Sequence, residues 1–172
     1  MNIFVLDPSP AVAASYHCDQ HLHKMILESA QMLATAMHEW YPHLSGYLYK
    51  PAHPNHPCTL WIKQSKHNAA WVADLMSELD NIRLDMGSDS HSSMFIRQMF
   101  IDNYMEDCGQ IVKPPQEFIF AGPLQYKLRP DLTIFQKYQE YYKLKQKLWL
   151  DTSRPMSYTG RSVPFFLKDS IK

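Results

Sequence analysis

His17, His21, Lys24, Glu28, Gln31 and Thr35 follow one another at intervals of four, three, four, three and four residues. That repeat is a single line along the face of an α-helix. A second line, Leu22, Ile26, Leu33, Ala36 and Trp40, runs roughly opposite. Together they commit the chain from about Ala11 to Trp40 to a helix, and the rest of the fold has to be built around it. Leu27 and Met32 border the polar line. Ionisable groups hemmed in by hydrocarbon are the setting in which pKa values shift, although the same pattern also fits a solvated helix face.

Proline and glycine cut the remainder into pieces. Residues 2–6, NIFVL, read as a brief strand or a buried N-terminal arm, and Asp7-Pro8-Ser9-Pro10 as a turn. Tyr41–Pro57 holds Pro42, Gly46, Pro51, Pro54 and Pro57 and must be a long loop. Pro57 suits the first position of a second helix, which runs to about Met86 and stops at Gly87. Trp61, Val72, Leu75, Leu79, Ile82 and Met86 form its core face, interrupted by Asn68. A third helix fits Ser92 to about Glu106 with Phe95 and Met99 inward. Cys108 to Pro130 is irregular. Asp131 can cap a fourth helix, with Ile134, Tyr138, Tyr141, Lys145 and Leu148 on one side, and Ser153-Arg154-Pro155 ends it. No repeat and no convincing sheet is present. The expectation is a single all-α domain over residues 1–172, of about four helices joined by long proline-rich loops.

The formal net charge of zero conceals an asymmetry. Residues 1–112 hold 6 Lys+Arg against 12 Asp+Glu, and residues 113–172 hold 11 against 5. A basic C-terminal third interleaved with Tyr138, Tyr141, Tyr142, Trp149 and Tyr158 suits a polyanion that also stacks, DNA or RNA. A soluble helix with an exposed lysine face has the same composition. No apolar run approaches the ~20 residues of a membrane span, and MNIFVLDPSP lacks the basic and apolar regions of a secretion signal. Cys18, Cys58 and Cys108 are odd in number and far apart, as in a reduced cytoplasmic protein.

Nine histidines raise the question of metal. His17 and His21 suit two ligands of one zinc, and His53, His56 and Cys58 could complete a site, but H-E-x-x-H and C-x-x-C are absent. No metal ligand and no cofactor is assigned. P-loop, G-x-G-x-x-G and G-x-S-x-G patterns are missing too. The more useful pair is Lys24 with Glu28, which face each other at i, i+4. On an open surface this is a weak ion pair. Partly desolvated, such a lysine can attack an electrophilic carbon while the carboxylate moves protons. Asn55-His56-Pro57 followed by Trp61 looks like a turn holding a helix start, itself a natural phosphate site.

Two segments resemble a known family. Cys18-Asp19-Gln20-His21-Leu22-His23-Lys24, running on to Glu28 and Gln31-Met32-Leu33, is similar to the first helix of the pyrimidine-dimer DNA glycosylase (endonuclease V) superfamily. Asn55-His56-Pro57, Trp61 and the helix after it resemble that family's second block. Arg154-Pro155-Met156-Ser157-Tyr158 is more loosely similar to its aromatic C-terminal segment. Phage proteins carrying H-C-D-x-H…K-M-I-L-E and N-H-P…W resemble the chain over most of its length. The resemblance implies a compact all-α fold and places the family's essential glutamate on Glu28. The family arginines that hold DNA fall on Leu27 and Gln31. The family nucleophile is the α-amine of a threonine exposed by removal of Met1. Here residue 2 is Asn, whose bulk should leave Met1 in place, so that nucleophile is expected to be missing.

The expected function is an enzyme of DNA that attacks the glycosidic carbon or an extruded base. Glu28 is the acid/base and Lys24 the amine, with His21 and His17 tuning Lys24 by charge or relaying protons. Tyr141, Tyr142 and Trp149 are candidates for stacking, Lys143, Lys145, Lys147 and Arg154 for phosphates, and Gln31, Asn55 and His56 for further nucleic-acid contacts. The alternatives are a transferase modifying a base in phage DNA, a DNA- or RNA-binding protein without catalysis, and a metal-dependent hydrolase using His17, His21, His53 and His56. DNA is the expected partner, with no membrane and a cytoplasmic location.

Overall fold

The computed structural model describes residues 1–106, 117–152 and 154–170. Among them every regular element is helical. None is long and apolar enough to cross a membrane. The elements are α1 (Pro10–Tyr16), α2 (Asp19–Trp40), α3 (Pro57–Gln64), α4 (Lys66–Asp85), α5 (Met94–Glu106), α6 (Leu124–Lys127) and α7 (Ile134–Asp151). Short 3-10 turns lie at Pro42–Leu44 and Phe165–Ser170. The all-α expectation holds with more helices than four, because two long stretches are broken and a short helix, α6, forms in the stretch expected to be irregular. Cys108, Pro114, Pro115 and Ser153, which the sequence places in irregular connections, lie outside the described residues.

The first break falls at His17 and Cys18, both extended in backbone. Helical periodicity runs through it without a mark, since neither residue is a breaker. Tertiary partners take up the released backbone groups. Arg161 donates to the carbonyls of Ser15 and His17, and Cys18 N–H donates to the Tyr142 hydroxyl at 3.0 Å. The second break is at Ser65, extended at φ −156°, whose hydroxyl accepts from His67 N–H and caps α4. Pro57 opens α3 as expected, behind His56, whose ring accepts from Cys58 N–H.

α2 is the central element. It packs on α3, α4 and α5 through Leu22, Met25, Ile26, Leu33, Ala36 and Met37, all buried, and α1 covers α4. The 2–6 segment is an arm and not a strand, with Ile3, Phe4, Val5 and Leu6 driven into the core. Gly87 takes the left-handed conformation (φ +82°) just past α4, donating to Leu84 while Ser88 donates to Arg83. In α5 the inward residues are Ile96 and Phe100, and Phe95 is exposed. α7 starts two residues later than an Asp131 cap would place it. Thr133 and Gln136 form a reciprocal capping box, and Asp131 instead pairs with Arg129. The buried line of α7 is Tyr138, Tyr142 and Gln146, so Leu148 faces out. The neighbouring line, Tyr141, Lys145 and Trp149, is half-buried and overlooks α2.

Candidate functional site

Two helices and the N-terminal arm enclose a cleft of about 130 Å³ lined by Met1, Asn2, Phe4, His21, Lys24, Met25, Glu28, Ala121, Tyr141 and Lys145. Glu28 is its floor. The Glu28 side chain is 14 % exposed and accepts the Asn2 backbone N–H at 2.8 Å. Two primary amines stand 3.8 Å from its carboxylate: Nζ of Lys24, whose side chain is 62 % exposed, and the amino group of Met1, whose side chain is 5 % exposed. The second amine is the one that sequence reasoning discounted. It belongs to Met1 and not to residue 2: the arm turns back on itself and carries Met1 to Glu28.

Asn2 makes that turn. Its side-chain carbonyl accepts from Ile3 N–H (2.8 Å) and Phe4 N–H (3.0 Å), and its amide donates to the Ala121 carbonyl. Phe4 sits at φ +41°, a region an aromatic residue rarely adopts. Holding it there costs on the order of 1–3 kcal/mol. The contacts that hold it are local to the site. Phe4 stacks on His21 (centroids 5.1 Å, 18°) and packs edgewise on Tyr138 and Tyr142.

His21 lines the cleft and His17 lies behind it. Nδ1 of His21 shares a 2.6 Å hydrogen bond with the Tyr142 hydroxyl, and Nδ1 of His17 donates to the Ala13 carbonyl at 2.7 Å. Burial pushes the His21 pKa down to about 2, aided by His17, Lys145 and Lys24. Burial likewise brings His17 to about 4. Both rings are neutral near pH 7, so neither carries a charge with which to tune Lys24. The Nε2 of His17 is buried and has no hydrogen-bond partner among the described residues.

The lower half of the polar line turns away from this site. The Thr35 hydroxyl donates to the Gln31 carbonyl and accepts Ala52 N–H, pinning the 41–57 loop to α2. Gln31, half-buried, is absent from the cleft wall. Asn55 is exposed. His56 stands near the cleft, its pKa lowered by partial burial and then by the Met1 amine and His53, with Glu28 opposing. Among the described residues no three His, Cys, Asp or Glu side chains come together as a metal-ligand set, so the spacing that suggested His17 and His21 with His53, His56 and Cys58 is not realised as one. Cys18 and Cys58 are free and buried, the latter pushed up to about 11 by burial.

The α7 candidates separate. Tyr142 is wholly buried and cannot stack on a ligand. Lys143 pairs with Glu140 at 2.7 Å, and Lys147 is exposed to solvent. Tyr141 and Lys145 reach the cleft. Trp149 and Arg154, with Gln20 and Thr152, line a second, larger groove of about 630 Å³. Trp149 brings this groove next to the cleft, its ring lying 5.1 Å from that of His21 and 5.9 Å from Lys145 Nζ. Among the site residues the periodic reading missed are Met1, Asn2, Phe4 and Gln20. Only Asn2, a residue type that bonds its own backbone in turns, left a signal. No family model, curated protein or solved structure matches the chain.

Proposed function

We propose that the protein acts on DNA by amine chemistry at a glycosidic carbon. The observation that carries this is one half-sheltered carboxylate with two primary amines at 3.8 Å, in a cleft open to solvent. Glu28 takes a proton from the ammonium beside it, and the freed amine nitrogen bonds to C1′ as the glycosidic C–N bond breaks; the electron pair leaves with the base, which takes up that proton from Glu28. Glu28 accepts a proton from the attacking nitrogen and returns one to the ring oxygen as the sugar opens to an imine. Loss of a C2′ proton from that imine expels the 3′-phosphate and cuts the strand. The groove beside Trp149 has the volume of a ligand pocket and receives the extruded base. The basic C-terminal third and the Tyr141 and Trp149 rings support a stacked polyanion as the ligand.

Borohydride trapping on a duplex with an abasic site tests the reading, because reduction fixes an imine as a stable secondary amine. A covalent adduct is expected with the wild type. Glu28→Gln should lower its rate by about 10²-fold or more. Affinity for the uncut duplex should hold or rise, because Glu28 is the only acidic side chain among the described residues that line the cleft. Peptide mapping and Lys24→Ala then tell the Lys24 amine from that of Met1. Duplex binding with no adduct from any variant would overturn the chemistry and leave a nucleic-acid-binding protein.

A further inference from the structure

Lys145 is the cation of the cleft that Glu28 does not pair. Its Nζ lies 5.4, 5.3 and 5.9 Å from the ring centroids of Phe4, Tyr141 and Trp149, within the ~6 Å reach of a cation–π contact. Rings attract the charge but offer none of the oxygen acceptors that three ammonium hydrogens seek. Among the described residues Lys145 makes no ion pair, whereas Lys24 and the Met1 amine both lie against Glu28. The cleft thus gathers three positive groups around one carboxylate. Burial, then the nearby Lys24, lowers the Lys145 pKa, with Glu28 and Cys18 opposing more weakly. At about 130 Å³ the cleft is below the range of pockets that hold whole small molecules, yet it can admit an oxyanion.

We propose that Lys145, pinned by the Phe4, Tyr141 and Trp149 rings, is a positioning residue that grips a DNA phosphate flanking the sugar placed over Glu28. This rests on DNA being the ligand, as proposed above. Lys143 and Lys147 on the same helix do not share the task, one being paired with Glu140 and the other facing solvent.

The test is a cycle read by fluorescence anisotropy, independent of any chemistry. The probe is a duplex with a tetrahydrofuran abasic site, and the phosphate on its 5′ or 3′ side is replaced in turn by an uncharged methylphosphonate. Wild type should lose roughly tenfold in affinity at one of the two positions. Lys145→Met should show that loss on unmodified duplex and no further loss on the neutralised one, with a salt slope shallower by about 1. Lys145→Arg should restore binding, and Lys147→Met should keep the wild-type response. Circular dichroism melting checks that Lys145→Met is folded, and the Arg variant carries the test if it is not. Additive losses, or wild-type binding by Lys145→Met, would overturn the assignment while leaving DNA as ligand. Absence of duplex binding by wild type would overturn both. Displacement of the duplex by a deoxynucleoside monophosphate at equal affinity would also overturn it, since the grip would then belong to a free nucleotide.

Discussion

The Tyr142 hydroxyl is the point at which core and site meet. It accepts Cys18 N–H where α1 ends and α2 begins, shares a hydrogen bond with His21, and approaches Cys18 Sγ at 3.5 Å. Tyr142→Phe keeps the ring and strips the oxygen. Cys18 N–H and the His21 nitrogen then lie buried without a partner, a cost of about 1–3 kcal/mol. A matching loss in urea unfolding, with an unchanged m-value, is expected. A loss below a few tenths would mean that water reaches the break. Residues of this kind set the limit of sequence reading. Glu28 was legible because helical spacing put it on a line of ionisable groups. Tyr142 was not, since a tyrosine among lysines reads as a stacking residue until its neighbours are known. The Met1 amine and the left-handed Phe4 depend on how an arm of six residues folds back, which no periodicity records.

The two broken helices show the same limit in the elements. Where a break has a local cause, the residue can be named: Ser65 is a good N-cap residue, although the apolar line from Trp61 to Leu79 reads across it. Removing its hydroxyl in Ser65→Ala should cost α4 about 1 kcal/mol, seen as a shift in the urea midpoint. If stability is unchanged, the α3–α4 corner is held by packing and by Asn68, whose amide donates to the Trp61 carbonyl at 2.8 Å. The break at His17 and Cys18 has no local cause. Arg161 and Tyr142, more than a hundred residues away in sequence, supply it. That break matters most for the site, because it moves His17 off the helix that carries Glu28. The line of six was therefore right for His21, Lys24 and Glu28 as neighbours, and spacing alone could not show that Gln31 and Thr35 serve a loop instead.

In the whole molecule, the same burial that keeps His17 and His21 neutral makes the fold sensitive to acid. The unfolded chain protonates both near 6.5, while the folded chain does so only near 4 for His17 and about 2 for His21. A folded pKa below the unfolded one means that the unfolded state binds more protons, so stability is full above pH 6.5 and falls as pH drops. By pH 5 each histidine should have cost roughly 2 kcal/mol. Asp19 acts in the same direction further down. Burial raises its pKa, but bonds from Thr159 and Arg161 outweigh that and hold it below the usual carboxylate range, so their contribution is lost when it protonates. All three groups sit where the 154–170 segment and α7 close over the start of α2, so acid should release this closure. Urea unfolding at pH 7, 6 and 5 is expected to show a steady fall. In His17→Leu the slope should shrink by about one proton. A flat profile between pH 7 and 5 would mean that water reaches these rings in the folded state, and His21 could then carry charge beside Lys24 and Lys145 after all.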